Sequence, residues 1–247
     1  MTAVFVHGVP ETSAIWQPLL DEFGRNDAVT LSPPGFGAPV PAGFEATSDG
    51  YRDWLIDEIE RLGGPVDLIG HDWGGGHALR VATARPDLVR RFVTDIAGTA
   101  DRKYEWHAMA QIWQTRDEGE AFVQAVAAMP VADRTPRLVE AGMTEAAARA
   151  CAEANDETMG ACILALYRSA VQPKMHMWGE QFAELTDRPR TLVVIPHGDH
   201  YTGGPEMARR VAQKWHASTA ELEGLGHWWM MQDPAAGAAV LRSFLDA

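Results

Sequence analysis

The sequence predicts an α/β protein in which a doubly wound, mostly parallel sheet carries an inserted helical segment. Two patterns predict the sheet. Short apolar runs rich in β-branched residues recur between helical patterns, and these runs lack the polar–apolar alternation of strands that face solvent. A third observation is size, because a chain of 247 residues, 46% of them hydrophobic, can bury a large core without disulfides or a structural metal. The predicted strands cover residues 3–7, 28–31, 66–70, 92–96, 191–196 and 218–222.

Helical patterns fill the gaps between these strands. An apolar helical face runs over residues 51–62, between a polar cap at 48–49 and a glycine stop at 63–64. Prolines in the first turn predict two further helices, which begin near residues 205 and 234. Helices between parallel strands are the crossovers that a doubly wound sheet requires.

The strand–helix alternation stops between about residues 101 and 185. This stretch shows helical patterns, is rich in alanine, contains Met and Trp residues, and has no clear strand. We interpret it as a helical cap, inserted into an α/β core formed by residues 1–100 and 186–247.

Composition excludes several classes of function. The 21 Lys and Arg residues stand against 34 Asp and Glu, and the formal charge of -13 argues against nucleic acid as a partner. No stretch approaches the ~18 apolar residues of a membrane span, and the first residues lack the features of a signal peptide. Cys151 and Cys162 lie eleven residues apart and belong to no CxxC motif or Cys/His cluster, which is typical of free thiols. We therefore expect a cytoplasmic protein without membrane contact, whose oligomeric state the sequence does not specify.

The most informative segment is the glycine-rich turn around Asp72. It follows the apolar strand 66–70 and leads into a helix, and glycines stand two residues before and two after Asp72. This is the form of a nucleophile elbow, a strained strand–turn–helix bend that displays its central residue. The displayed residue is an aspartate, not a serine. The simpler alternative is that Asp72 only caps the helix.

Two other turns lie where they could complete such a site. The turn after the first strand can present the backbone N–H of Val9 beside that of Trp73, and together these would form an oxyanion hole. His227 follows the last strand, so it can reach across the carboxyl ends of the strands, although it could also be a loop or core histidine. The strand 191–196 leads to Asp199, which we expect to orient His227 as the third member of a triad.

Four motifs follow one another along the chain: His7-Gly8-Val9-Pro10 with Trp16, Gly70-His71-Asp72-Trp73-Gly74-Gly75, Asp199 and Gly226-His227. This ordered set resembles the α/β-hydrolase superfamily, and within it the aspartate-nucleophile branch of epoxide hydrolases and haloalkane dehalogenases. The resemblance covers nearly the whole chain. That family usually has two more strands before the first turn, so we expect the sheet to lack them. Some haloalkane dehalogenases take their acid from the end of the strand at 92–96, which makes Asp95 the alternative to Asp199.

The resemblance implies hydrolysis through a covalent ester between Asp72 and a small apolar organic substrate, with water as second reactant and no metal or organic cofactor. Epoxide hydrolases of this family are distinguished by cap tyrosines that protonate the opening epoxide, and Tyr167 with Tyr104 fit this pattern. Tyr167 could equally be a packing residue. Epoxide opening is the leading hypothesis. Its alternatives are haloalkane dehalogenation or other C–X hydrolysis, esterase or lactonase activity, and a ligand-binding relative without turnover.

Overall fold

A computed structural model describes residues 2–247 and shows an α/β fold built on a six-stranded sheet. The strands are β1 (Ala3–Val6), β2 (Ala28–Leu31), β3 (Val66–Gly70), β4 (Val89–Thr94), β5 (Arg190–Pro196) and β6 (Ser218–Leu222). All five neighbouring pairs of strands are parallel, in the order β2-β1-β3-β4-β5-β6. The predicted fold class is confirmed, and no strand precedes β1 within the described residues.

The boundaries of β4 differ from the predicted strand at 92–96. The strand begins earlier because Val89 pairs with Val66 of β3, and its two arginines neutralise the buried carboxylate of Asp67. Two arginines interrupt the apolar run at this point, so the apolar pattern alone does not indicate where the strand begins. The strand also ends earlier, because the chain turns into a short 3-10 helix (Ala97–Ala100).

Helices cover both faces of the sheet, as burial on both faces requires. One face packs against α2 (Ser48–Arg61), α3 (Trp73–Ala84), α9 (Lys174–Ala183) and α10 (Gly204–Lys214). The other packs against α1 (Gln17–Phe23), α11 (Trp229–Gln232) and α12 (Pro234–Leu245). The cap of α2 is one residue earlier than predicted, because the side chain of Thr47 accepts the N–H of Gly50.

Between β4 and β5, the regular elements of the chain are all helices. They are α4 (Ala108–Gln114), α5 (Glu118–Ala128), α6 (Val131–Glu140), α7 (Glu145–Ala154), α8 (Glu157–Ser169) and α9. α9 lies against the sheet, since Phe182 meets Phe92 of β4 edge to face at 5.7 Å. The limits of the cap at 101–185 stay a prediction.

Among residues 2–247, no helix combines the length and the apolar character that crossing a bilayer requires.

The fold depends on the absence of a side chain at Gly74, where α3 passes under β1. A Cβ there would lie 2.2 Å from the carbonyl oxygen of Val6, and a backbone atom cannot rotate away. We expect Gly74→Ala to destabilise the protein by at least ~3 kcal/mol, the upper range for overpacking. Gly76→Ala is the matched control in the same helix. Its Cβ would meet only the Trp73 ring, at 3.3 Å, so we expect a change within ~1 kcal/mol. Urea unfolding measures both, and equal stabilities would contradict this account.

Candidate active site

Asp72 sits in a strained turn between β3 and α3. Its backbone has φ 49° and ψ −128°, a conformation that L-residues rarely adopt and that costs of order 1–3 kcal/mol. Glycine neighbours make the turn possible, because a Cβ on Gly70 would lie 2.5 Å from the Gly74 carbonyl oxygen. The chain therefore holds the Asp72 side chain out at the carboxyl ends of the strands, and the side chain makes no cap hydrogen bond to α3.

The turn after β1 meets this carboxylate from the other side. The N–H of Val9 donates to Asp72 Oδ1 over 3.0 Å. Gly8 permits the approach, because a Cβ there would lie 2.3 Å from Asp72 Cβ. Trp73 is the first residue of α3, so its amide has no acceptor within the helix. The two amides expected to form an oxyanion hole thus flank Asp72.

His227 and Asp199 complete the predicted arrangement. His227 Nδ1 and Asp199 Oδ2 are 2.9 Å apart, and His227 Nε2 lies 3.9 Å from Asp72 Oδ2. The second oxygen of Asp199 accepts the N–H of Tyr201 over 2.8 Å, which fixes the carboxylate. The structure therefore brings together Asp72, His227 and Asp199 in the order that a nucleophile, a base and an orienting acid require.

Burial and charge set the protonation of these groups. Burial raises the pKa of the Asp72 carboxyl above its ordinary value, against the opposing effect of His227. Burial also disfavours charge on His227, but the neighbouring Asp199 raises the pKa of His227 above 6.5. Conversely, the pKa of Asp199 is lowered despite its burial, because His227 stabilises its charge. The His227–Asp199 pair is thus poised to accept a proton.

Asp95, the alternative acid, has other partners. Its Oδ2 bonds to His71 Nδ1 at 2.6 Å and accepts the indole N–H of Trp229 at 2.8 Å, while Oδ1 accepts the Asp72 backbone N–H at 3.1 Å. No hydrogen bond joins it to His227 among the described residues. This geometry favours Asp199 as the orienting acid.

A buried acid that sequence reasoning missed lies on the far side of His71. Glu11 Oε1 is 3.2 Å from His71 Nε2 and accepts the indole N–H of Trp228 at 2.5 Å, and Oε2 accepts the Gly8 N–H at 2.9 Å. Burial opposes charge on both partners, yet their attraction lowers the pKa of Glu11 to about 2. Despite the same burial, Asp95 and Glu11 raise the pKa of His71 well above 6.5. His71 is therefore an imidazolium between two carboxylates.

Glu11, His71 and His227 also offer three ligand atoms within 4.8 Å of one another, the size of set that a metal uses. In the structure, Glu11 and His71 use these atoms to bind each other.

A largely apolar cavity of about 420 Å³ opens from Asp72 and His227 into the helices between β4 and β5. Its walls contain no Lys or Arg side chain. The lining residues are Val9, Pro10, Asp72, His107, Ala108, Met109, Trp113, Phe122, Val123, Val126, Leu138, Ala141, Met143, Asn155, Ile163, Tyr167, Tyr201, His227 and Trp228. A second cavity of about 20 Å³, room for about one water molecule, also touches Asp72 and is lined by Trp73, Tyr104, Trp106 and His107 among others.

The two predicted cap tyrosines occupy different positions. Tyr167 is buried in the wall of the large cavity, where desolvation and the charge of Asp72 raise the pKa of its phenol well above 10. Tyr104 lines the small cavity, but its hydroxyl donates to the Tyr201 carbonyl oxygen over 2.8 Å. Burial raises the pKa of Tyr104 as well. Tyr167 therefore fits the expected role better than Tyr104.

Sequence reasoning missed Glu11 and His107. The one local signal for Glu11 is its position two residues after Val9, in the turn that follows the first strand and lies at the carboxyl ends of the strands. His107 carries no local signal, since only the packing of the cap places it beside Asp72.

The chain belongs to the alpha/beta hydrolase family, whose model matches residues 3–240. The fold, the strained turn and the positions of the candidate triad agree with this assignment.

Similar proteins include several hydrolases. A segment of 90 residues, 36% of this chain and 34% of the relative, is 34% identical to the (E)-2-((N-methylformamido)methylene)succinate hydrolase of Acinetobacter baylyi. The match thus spans about a third of that protein. A candidate epoxide hydrolase from Pseudomonas aeruginosa superposes with a TM-score of 0.78, at 19% identity, over 100% of this chain and 89% of its own. A loop variant of the haloalkane dehalogenase DbeA from Bradyrhizobium elkanii superposes with a TM-score of 0.74, at 19% identity, over 99% of this chain and 89% of its own. At such identities the structural matches show the fold.

The Glu11–His71 contact predicts a pH-dependent loss of stability in Glu11→Gln. Near neutral pH we expect a loss of ~3–5 kcal/mol, typical of removing one partner from a buried ion pair. The carboxyl has a pKa of about 2 in the folded protein, against 4.5 for its ordinary value, so its contribution is present above 4.5 and disappears as pH falls toward 2. The difference between wild type and variant should shrink accordingly.

Urea unfolding at a series of pH values between 7 and 3 measures this difference. Glu22→Gln, at an exposed position, is the matched control and should behave as wild type throughout. A difference between wild type and Glu11→Gln that does not change with pH would show that Glu11 acts without its charge.

Proposed function

We propose that this hydrolase opens an epoxide to a diol through a covalent ester on Asp72. The observation that carries the proposal is a carboxylate at the strained turn, 3.9 Å from His227 Nε2, beside a largely apolar cavity that Tyr167 also lines. A carboxylate that attacks saturated carbon gives a stable alkyl ester, whereas attack on an ester carbonyl would give a reactive anhydride. The aspartate therefore favours epoxide or C–X chemistry over esterase or lactonase activity.

The hydrogen bonds distinguish the two oxygens of Asp72. Oδ1 already accepts the Val9 N–H, while Oδ2 faces His227. We assign the attack to Oδ2, which forms the new bond to the epoxide carbon as the C–O bond of the ring breaks. Oδ1 then becomes the carbonyl oxygen of the ester, next to the amides that stabilise an oxyanion in the second step.

Tyr167 supplies the proton that the opening ring requires. Desolvation and the charge of Asp72 raise its pKa, so the phenol stays protonated until an alkoxide forms beside it. Once Asp72 is alkylated, its negative charge is lost and the phenol becomes easier to ionise. The proton transfer is thus coupled to ester formation.

His227 carries out the second step. Its Nε2 takes a proton from water, the hydroxide attacks the carbonyl carbon of Asp72, and collapse of the oxyanion releases the diol and restores the carboxylate. The proton on His227 returns to the Tyr167 phenolate through solvent. Asp199 holds the ring through Nδ1 and stabilises the imidazolium while it exists.

The walls of the cavity favour a neutral apolar substrate. Lys and Arg are absent from the lining, and Asp72 makes the inner end negative. A substrate with two carboxylates, such as the succinate derivative named for the Acinetobacter relative, would meet no cation here.

Dehalogenation is the second candidate, and one observation favours it. The indole N–H groups of Trp106 and Trp113 are buried without a hydrogen-bond partner among residues 2–247, and each residue lines a cavity beside Asp72. A leaving halide needs such N–H donors and no proton. Incubation of the His227→Gln variant with alkyl halides and with epoxides in parallel, followed by intact mass, separates the two candidates.

We expect His227→Gln to accumulate alkylated enzyme, because the ester forms without His227 and is hydrolysed only with it. Intact mass after incubation with styrene oxide should rise by the mass of the epoxide, on the peptide that contains Asp72. Asp72→Asn is the control of equal size and should gain no mass. Wild-type diol formation without any trapped ester in His227→Gln would contradict the covalent scheme.

Tyr167→Phe tests the proton donor. The ring and its packing remain, so we expect a nearly unchanged melting temperature and a fall in epoxide alkylation of at least ~10²-fold, the lower figure for a general acid. Halide displacement, where it occurs, should be unaffected. Tyr104→Phe should lower the rate much less, because that hydroxyl is bound to Tyr201. Undiminished diol formation in Tyr167→Phe would exclude this residue as the donor.

A further inference from the structure

His107 stands at the boundary between the two cavities beside Asp72. It lines both of them, together with Asp72 and Tyr201. Its ring centroid lies 5.2 Å from that of Tyr201 and 6.4 Å from that of Tyr167. Tyr201 in turn lies 4.9 Å from His227. His107 is therefore part of the wall that a bound substrate contacts.

The start of α4 fixes the tautomer of His107. Nδ1 accepts the backbone N–H of Ala110 over 3.2 Å and so caps the helix. An acceptor nitrogen carries no proton, hence the proton of the neutral ring is on Nε2. Burial and the nearby charge of His227 lower the pKa of His107 to about 4, so the ring is neutral near pH 7.

Nε2–H is left for a ligand. No hydrogen bond to this nitrogen occurs within residues 2–247, and the atom is not among the fully buried polar atoms without partners. By contrast, the hydroxyl of Tyr104, the expected second donor, is used by the Tyr201 carbonyl oxygen. His107 thus offers the free N–H that Tyr104 lacks.

We propose that His107 is a second catalytic hydrogen-bond donor, whose Nε2–H binds the epoxide oxygen while Tyr167 protonates it. This inference rests on the proposed epoxide opening. As the ring C–O bond breaks and Asp72 bonds to carbon, the electron pair moves to the oxygen, which takes its proton from Tyr167. His107 keeps its own proton and stabilises the growing charge, a role that neutral imidazole fills in other enzymes.

The substitution His107→Asn isolates this donor. Asparagine is a good N-cap, so its side-chain oxygen can replace Nδ1 in capping α4, but its amide does not reach the position of Nε2. We expect an unchanged melting temperature. His216→Asn, at an exposed position with φ 52° that asparagine tolerates, is the matched control.

The measurement is the alkylation rate in the His227→Gln background, followed by intact mass. With styrene oxide we expect His107→Asn to react about 10- to 100-fold more slowly, the effect of one hydrogen bond to a developing charge. With 2-phenylethyl chloride, whose leaving chloride has the unpartnered indole N–H groups of Trp106 and Trp113 as donors, any alkylation should change less than twofold. Unchanged epoxide alkylation, or a loss confined to ester hydrolysis in the wild-type background, would overturn the assignment.

A ligand-binding arm separates failure of this inference from failure of the proposed function. If neither epoxide nor chloride alkylates His227→Gln, the proposed function is wrong, and binding of phenylacetamide and ethylbenzene still tests His107. Quenching of tryptophan fluorescence reports both, because Trp73, Trp106 and Trp113 line the cavities. A roughly tenfold loss of the preference for the amide in His107→Asn supports an oxygen-binding N–H, and an unchanged preference overturns it.

Discussion

A cationic His71, held between the carboxylates of Glu11 and Asp95, connects the loops that form the site. Glu11 accepts hydrogen bonds from Gly8, after β1, and from Trp228, after β6. Asp95, after β4, accepts the amide of Asp72, after β3, and the indole of Trp229. Four strand ends thus share one buried ionic network. Such a network is stable only when each of its buried polar groups has a hydrogen-bond or ionic partner. The positions of Val9, Asp72 and His227 therefore depend on one another.

The network also sets the electrostatics of the chemistry. Besides Asp72, three buried carboxylates lie beside His71 and His227: those of Glu11 and Asp95 at His71, and that of Asp199 at His227. This excess of negative charge disfavours anionic substrates and favours a proton on His227, whose pKa is raised. It also explains why Asp72 is destabilised as an anion, since Glu11 adds to the effect of burial on its pKa. A poorly solvated carboxylate is a stronger nucleophile toward carbon, and neutralisation by alkylation relieves the repulsion.

The sheet could be predicted because its signals are local, and so could the meeting of Asp72, His227 and Asp199 at one edge of it. Buried strands are continuous apolar runs, and glycines around Asp72 report a backbone constraint that no other residue satisfies. Val9, His227 and Asp199 follow strands whose parallel ends must meet at one edge. The start of β4 was not predicted, because Arg90 and Arg91 resemble surface residues in the sequence and only the structure shows that they pair with Asp67. The cap could be recognised as helical, but not how its side chains meet the core. The roles of Tyr104 and His107 depend on that packing.

Three histidines near Asp72 show why residue type alone could not assign the site. His71 lies between two carboxylates and is cationic. His227 is hydrogen-bonded to one carboxylate and can change its charge during the proposed reaction. His107 has no carboxylate within hydrogen-bond distance among the described residues and stays neutral. Each state follows from what the ring nitrogens contact, and each suits a different task. A fixed cation suits the organisation of the loops. In the proposed reaction, a titrating base suits the activation of water, and a neutral N–H suits the stabilisation of an alkoxide. If any two of these environments were exchanged, the same three histidines would remain, but each would no longer have the charge state that its task requires.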